Sequence, residues 1–227
     1  MNQFRPKKTN MKTTLITIIA VIIGAGSPVW AQSEQYKSAM IDALATMQKQ
    51  DEKTPVADFM ASANQFERIA GAEPGEWLPR YYAALEYVFC GFAGKDATEK
   101  DKYLDKADAL LKQAETLSLA NDELMVLKAY IAQARLVVDP MNRWQTYGPA
   151  ADEAITQAKA LNAGNPRPYV LEGSSLMYTP EQFGGGPKAA CPVLKQATEK
   201  LATFKPASEL HPTWGQKSIE PFLSACK

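Results

Sequence analysis

The chain has 227 residues, 46% of them hydrophobic, with 25 basic and 25 acidic side chains in formal balance. That hydrophobic content excludes a disordered chain, and the lack of excess positive charge excludes the footprint of a nucleic-acid binder. The length suits one well-buried domain or one short helical array.

The N-terminus reads as an export leader. Arg5, Lys7, Lys8 and Lys12 precede an apolar block from Leu15 to Ala25, and Ser27-Pro28-Val29-Trp30-Ala31 follows. Val29 and Ala31 fit the small-residue positions of a signal-peptidase site, which predicts cleavage after Ala31. The block is shorter than the roughly 20 residues that span a bilayer. No cysteine follows it to carry a lipid, and Met11 can serve as an alternative start. Residues 1–31 are therefore expected to be a signal peptide and 32–227 a single mature domain. The expected location is periplasmic or secreted, without stable membrane insertion. Removing the four basic residues leaves 21 against 25 acidic ones, a net charge of about −4. Neither nucleic acid nor an anionic lipid surface suits that balance.

After Gln32, apolar residues recur at three- and four-residue spacing between breaks at Pro, Gly and Asn. The pattern predicts helices near 34–50, 55–71, 76–92, 99–118, 121–138, 147–162, 166–178, 187–204 and 213–226. Thr54-Pro55 and Asn165-Pro166 each place a side-chain acceptor before a proline suited to a first helical turn. Asn121, with Asp122 and Glu123 behind it, opens another helix. No stretch alternates with the two-residue period of a strand, so the expected class is all-α.

The helices also repeat. Ala84, Ala129 and Gly173 are small residues in the third, fifth and seventh helices, spaced by 45 and 44 residues. The fourth, sixth and eighth helices carry Ala107-Leu111-Ala114, Ala151-Ile155-Ala158 and Ala190-Leu194-Ala197, each with spacing four then three. Ser62-Phe66-Ile69 in the second helix is a degenerate copy. Small residues at such points let helices approach closely while the large one fills the gap between hairpins.

Over residues 55–204 this pattern resembles the tetratricopeptide repeat, with a small residue in the first helix of each pair and Ala, large apolar, Ala in the second. The period is longer than the family's usual length of about 34. The aromatic of the third marker survives only as Tyr87, with Ala132 and Leu176 in the other copies. Asn165-Pro166 and Lys205-Pro206 keep the repeat-ending proline, whereas Leu119-Ala120-Asn121 lacks it. The Phe183-Gly184-Gly185-Gly186 turn is similar to long-period variants exported by Gram-negative bacteria, solute-transport accessory proteins among them. The resemblance implies a right-handed array of antiparallel helix hairpins, a TPR-like α-solenoid, closed by a C-terminal capping helix. Such arrays present an extended concave surface.

Catalytic chemistry finds little support. The single histidine, His211, precedes Pro212 and reads as a turn residue or cap. With three dispersed cysteines it offers no zinc-ligand spacing. Gly173-Ser174-Ser175 lacks the strand a nucleophile elbow needs. In Gly184-Gly185-Gly186-Pro187-Lys188, Pro187 interrupts the amide row of a phosphate loop and Ala189 stands where a hydroxyl is required. A turn between helices accounts for those glycines. Asp96, Glu99, Asp101, Asp105 and Asp108 read as a solvated face. The expectation is a binding protein, with no enzyme activity, metal or cofactor.

Three cysteines after a leader imply an oxidising compartment. In the implied architecture Cys191, in the first turn of the eighth helix, sits beside Cys226 at the end of the ninth. The two are expected to form a disulfide, with Cys90 left as a buried thiol; the competing reading is three free thiols.

Because the first helix of each repeat lines the concave surface, the same resemblance selects Tyr81, Leu85 and Phe89; Val126, Tyr130 and Ala134; and Val170, Ser174 and Tyr178. Arg167 lies one turn earlier on that side of the seventh helix. Tyr81, Leu85, Phe89, Val126, Tyr130, Arg167, Ser174 and Tyr178 are the expected contacts for a protein or peptide partner held by an adaptor or scaffold. The alternative is a small hydrophobic solute held between helices. Trp77, Tyr81, Tyr82, Phe89 and Phe92 wrap around more than one side of the third helix, so both a core and a partly exposed strip remain open.

Overall fold

A computed structural model describes residues 1–3 and 33–226; the expected signal-peptide features lie outside these described residues. Nine α-helices follow Ser33: α1 Glu34–Met47, α2 Val56–Ala72, α3 Leu78–Ala93, α4 Ala97–Leu117, α5 Asp122–Val138, α6 Pro140–Leu161, α7 Arg167–Tyr178, α8 Pro187–Thr203 and α9 Gln216–Leu223. No strand occurs among the described residues, so the chain is all-helical there. None of the helices described is long and apolar enough to cross a membrane.

Side-chain caps explain most of the helix starts. Asp96 accepts from the Glu99 amide, and Asn121 accepts from both the Glu123 and Leu124 amides. Asn165 accepts from the Arg167 amide at 2.9 Å, as its position before Pro166 anticipates. Thr54 behaves differently. Its hydroxyl accepts from the Asp51 amide at 2.9 Å, and α2 begins without a side-chain cap. The sixth helix starts seven residues earlier than expected. Asp139 caps it, Pro140 occupies its first turn, and Pro149 lies inside it.

Consecutive helices pack closely, most extensively α2 on α3, α3 on α4, α5 on α6, and α7 on α8. The odd-numbered helices also touch in succession: α3 meets α5, α5 meets α7, and α7 meets α9. The repeated residues form these contacts. Ala84, Ala129 and Gly173 are buried, as are all three Ala-large-Ala sets and Ser62-Phe66-Ile69. A Cβ on Gly173 would meet the Leu194 side chain at 2.6 Å, so glycine there is what permits α7 and α8 to pack at this distance.

The acidic run on α4 is not simply solvated. Arg135 of α5 donates to Asp105 at 2.7 Å and to Asp108, and Arg143 of α6 grips Asp101 at 2.6 and 2.7 Å. These pairs tie α4 to the junction between α5 and α6.

Cys191 and Cys226 form a disulfide with a Cα separation of 5.4 Å, and Cys90 is a buried free thiol in α3. The glycine turn is structural. Gly184 and Gly186 have φ of 86° and 84°, and the Gly186 amide donates to the Leu176 carbonyl at the end of α7.

Candidate functional site

Between α8 and α9 the chain makes an excursion that the helical pattern did not anticipate. Thr203 ends α8, and the backbone from Phe204 to Gly215 crosses the face along which the odd-numbered helices meet. It reaches α1, where Glu209 pairs with Lys37 at 2.6 Å. Tyr82 of α3 donates to the Leu210 carbonyl at 2.8 Å, and the Leu210 side chain enters the core. His211 meets Trp77 edge to face and hydrogen-bonds to Ser208 through Nδ1. Trp214 then donates to the Tyr81 hydroxyl and stacks on Tyr130 at 5.6 Å. The ninth helix therefore begins at Gln216, later than expected, and follows an irregular strap.

Arg167 anchors this strap from inside. Its guanidinium forks onto Glu123, with Nε at 2.8 Å, and Asn165 donates to the same carboxylate at 2.8 Å. Phe204 lies over the guanidinium at 4.6 Å and Trp214 at 6.0 Å. Burial opposes the Arg167 charge, and the Glu123 carboxylate outweighs that burial, holding it above the ordinary range.

Four expected contact residues are consequently inside the protein. Tyr81, Leu85, Val126 and Arg167 have no accessible side chain, because the strap and neighbouring helices cover them. Val170 and Ala134 are buried as well. Phe89, Tyr130 and Ser174 are half-buried, and Tyr178 is 79% exposed. Of the expected set, these four remain at the surface.

Beside the strap, a group of aromatic side chains stays partly exposed. Tyr130 is its centre. Phe92 lies 5.5 Å from the Tyr130 ring, Phe89 6.2 Å, and Trp214 closes the strap side. Burial pushes the Tyr130 phenol up to about 12, and the neighbouring Tyr178 phenol adds to that rise. Tyr178 meets Phe222 of α9 edge to face at 5.4 Å. Val137, two turns beyond Tyr130 on the same side of α5, is 54% exposed, and Met141 just beyond is 83% exposed.

Sequence reasoning did not single out Trp214, Phe222, Val137 or Met141. Trp214 sits between Pro212 and Gly215, an aromatic in a segment too irregular to be helical; that is the signal it offered. Among the described residues no cluster of His, Cys, Asp and Glu is placed to hold a metal. An open hollow of about 930 Å³ lies along α8, with Lys188, Cys191, Lys195, Leu223 and Cys226 in its lining.

Fold and site together define a protein that is all-helical among its described residues and carries a partly exposed aromatic surface. No family model and no curated protein matches the chain. Among solved structures it is similar to the HusA haemophore from Porphyromonas gingivalis, at 32% identity over 86% of this chain and 94% of that one, with a TM-score of 0.75. The chain belongs to the family of that haemophore.

Proposed function

We propose that this protein is an exported carrier of haem or a closely related tetrapyrrole, which it holds against the Phe92–Tyr130–Tyr178–Phe222 face. The observation that carries the proposal is the presence of the partly exposed aromatic pairs Phe92–Tyr130 and Tyr178–Phe222 in a chain related to a haemophore over 86% of its length. A tetrapyrrole is a flat, largely apolar ring system. Aromatic side chains give such a ring offset-stacked and edge contacts worth about 0.5–1.5 kcal/mol each beyond the area they bury. Ligand sites of this kind are lined by apolar and aromatic groups and occur between helices.

The architecture fits a tetratricopeptide-like right-handed array in which α3, α5, α7 and α9 line the concave side. In that frame the strap, with Leu210 and Trp214, occupies the part of the concavity where an extended peptide would lie. The solute reading therefore has more support than the adaptor reading. Export fits the leader-like N-terminus and the disulfide, which persists in oxidising compartments.

Titration of the purified protein with haemin, followed by Soret absorbance and tryptophan quenching through Trp214, tests the reading. Saturable binding that weakens in Phe92→Ala and Tyr178→Ala supports it. Absence of saturable binding, or binding that ignores both changes, removes it.

A further inference from the structure

The C-terminal helix is short, and a disulfide joins its trailing turn to α8. α9 has eight residues, too few to persist as an isolated helix, and Ile219 is its one buried side chain. Its packing partners are α7 and α8. From its trailing turn, Ser224–Cys226, the disulfide runs to Cys191 near the start of α8 and closes a loop across 35 positions. Phe222, four residues before Cys226, is the side chain that α9 lends to the aromatic face.

The bond is also approachable. Cys191 and Cys226 are both partly exposed, and both line the open 930 Å³ hollow beside α8. Lys188 and Lys195 share that lining. They lie three residues before and four after Cys191, hence on its side of the helix. Nearby ammonium groups favour the thiolate form of an attacking thiol and of the cysteine that departs.

We propose that the Cys191–Cys226 disulfide is a latch holding α9 and Phe222 as one wall of the tetrapyrrole site, and that a dithiol reductant entering through the α8 cavity opens that wall and weakens ligand binding. The proposal rests on the carrier reading above. One thiolate of the dithiol attacks a cysteine sulfur, breaking the bond and giving a mixed disulfide while the other cysteine leaves and takes up a proton. The second thiol of the reductant then attacks its own mixed disulfide, and the first cysteine departs as a thiol. Two electrons and two protons pass to the cysteines, and the dithiol becomes a disulfide. Cys90 takes no part, because it is enclosed in α3.

The test compares haemin affinity before and after reduction with dithiothreitol and alkylation, and in the Cys191→Ser/Cys226→Ser double variant. Circular dichroism checks that the remaining helices survive. Both opened forms should bind about tenfold more weakly, the change expected on losing one aromatic wall. Hydrogen exchange across residues 216–226 should accelerate while α3 and α5 keep their protection. Phe222→Ala in the oxidised protein should reproduce the affinity loss without opening α9, which keeps the test valid if reduction unfolds more than the C-terminus. Equal affinity in oxidised and reduced protein, or a Phe222→Ala variant that binds like the parent, overturns the latch. Failure of the oxidised parent to bind haemin overturns the carrier reading itself.

Discussion

Trp214 donates its indole N–H to the hydroxyl of Tyr81 at 2.8 Å, joining residues 133 positions apart. Tyr81 is completely buried, and its phenol is held well above its usual range by that burial and then by the Glu123 charge. This contact fastens the strap onto the odd-numbered helices and turns a face that could have been a groove into core. Trp214→Phe removes the donor and leaves an enclosed hydroxyl poorly satisfied. The expected loss is about 1–3 kcal/mol of unfolding free energy, measured by urea denaturation. Tyr81→Phe removes the hydroxyl instead and should cost no more than Trp214→Phe. An equal-stability Trp214→Phe protein would show that the strap is held by its other anchors.

Two tyrosines chosen by the same repeat logic should behave in opposite ways. Tyr81→Ala empties a fully enclosed site and should cost about 3–5 kcal/mol. Tyr178→Ala alters a ring that is 79% exposed and should leave thermal unfolding within about 0.5 kcal/mol of the parent while weakening haemin binding. A Tyr178→Ala protein as unstable as Tyr81→Ala would identify the open face as core.

Glu86 gives the protein a pH-dependent weakness. It is wholly buried in α3 and accepts a hydrogen bond from Ser62 at 2.6 Å. Burial pushes its carboxyl from 4.5 up to about 7, against the opposing pull of Ser62 and Gln50. The folded state therefore keeps this proton to higher pH than the unfolded state does. Its contribution to stability is present in full below about pH 4.5 and is lost as pH rises through about 7, a change of about 3 kcal/mol at most. Glu86→Gln should remove this part of the slope, so its advantage over the parent grows from pH 5 to pH 8 in denaturant titrations. A constant difference across that range would mean that Glu86 does not titrate there.

Gly173 is where α7 and α8 come nearest. An added methyl group would stand 2.6 and 2.8 Å from Leu194 side-chain atoms, which must then shift within a packed core. Gly173→Ala should lower stability by about 1–3 kcal/mol. Gly148→Ala, where nothing lies within 4 Å of the added carbon, is the control and should not be destabilising through contact. Comparable melting temperatures for the two variants would refute the close approach.

Thiol chemistry should separate one cysteine from two. In the unfolded, unreduced protein a thiol reagent should find one group, Cys90, and three after reduction. In the folded protein Cys90 should resist the reagent at pH 8, since burial and then the Glu86 charge push its thiol up to about 12. Rapid labelling of the native protein at that pH would contradict its enclosure.

The helical class, the approximate places of nine helices and the repeated small and large core positions were all legible along the chain. They depend on local periodicity and on residue size, and Ala84, Ala129 and Gly173 occupy the buried points their spacing predicts. The cysteine pairing was accessible through the implied order of neighbouring helices. Which of the expected contact residues stay exposed was not, because repeat position says which way a side chain points along its own helix and nothing about what later covers it. The tertiary path of residues 204–215, together with helix packing, decides that Tyr81 and Arg167 lie beneath other groups while Tyr130 and Tyr178 keep an exposed side. That path has no period to read. It is set by contacts distant in sequence: Leu210 with Tyr82, Glu209 with Lys37, and Trp214 with Tyr81. The helices follow from forces acting over three or four residues, whereas the surface that remains for a ligand follows from which distant segment reaches the shared face and buries its apolar side chains there.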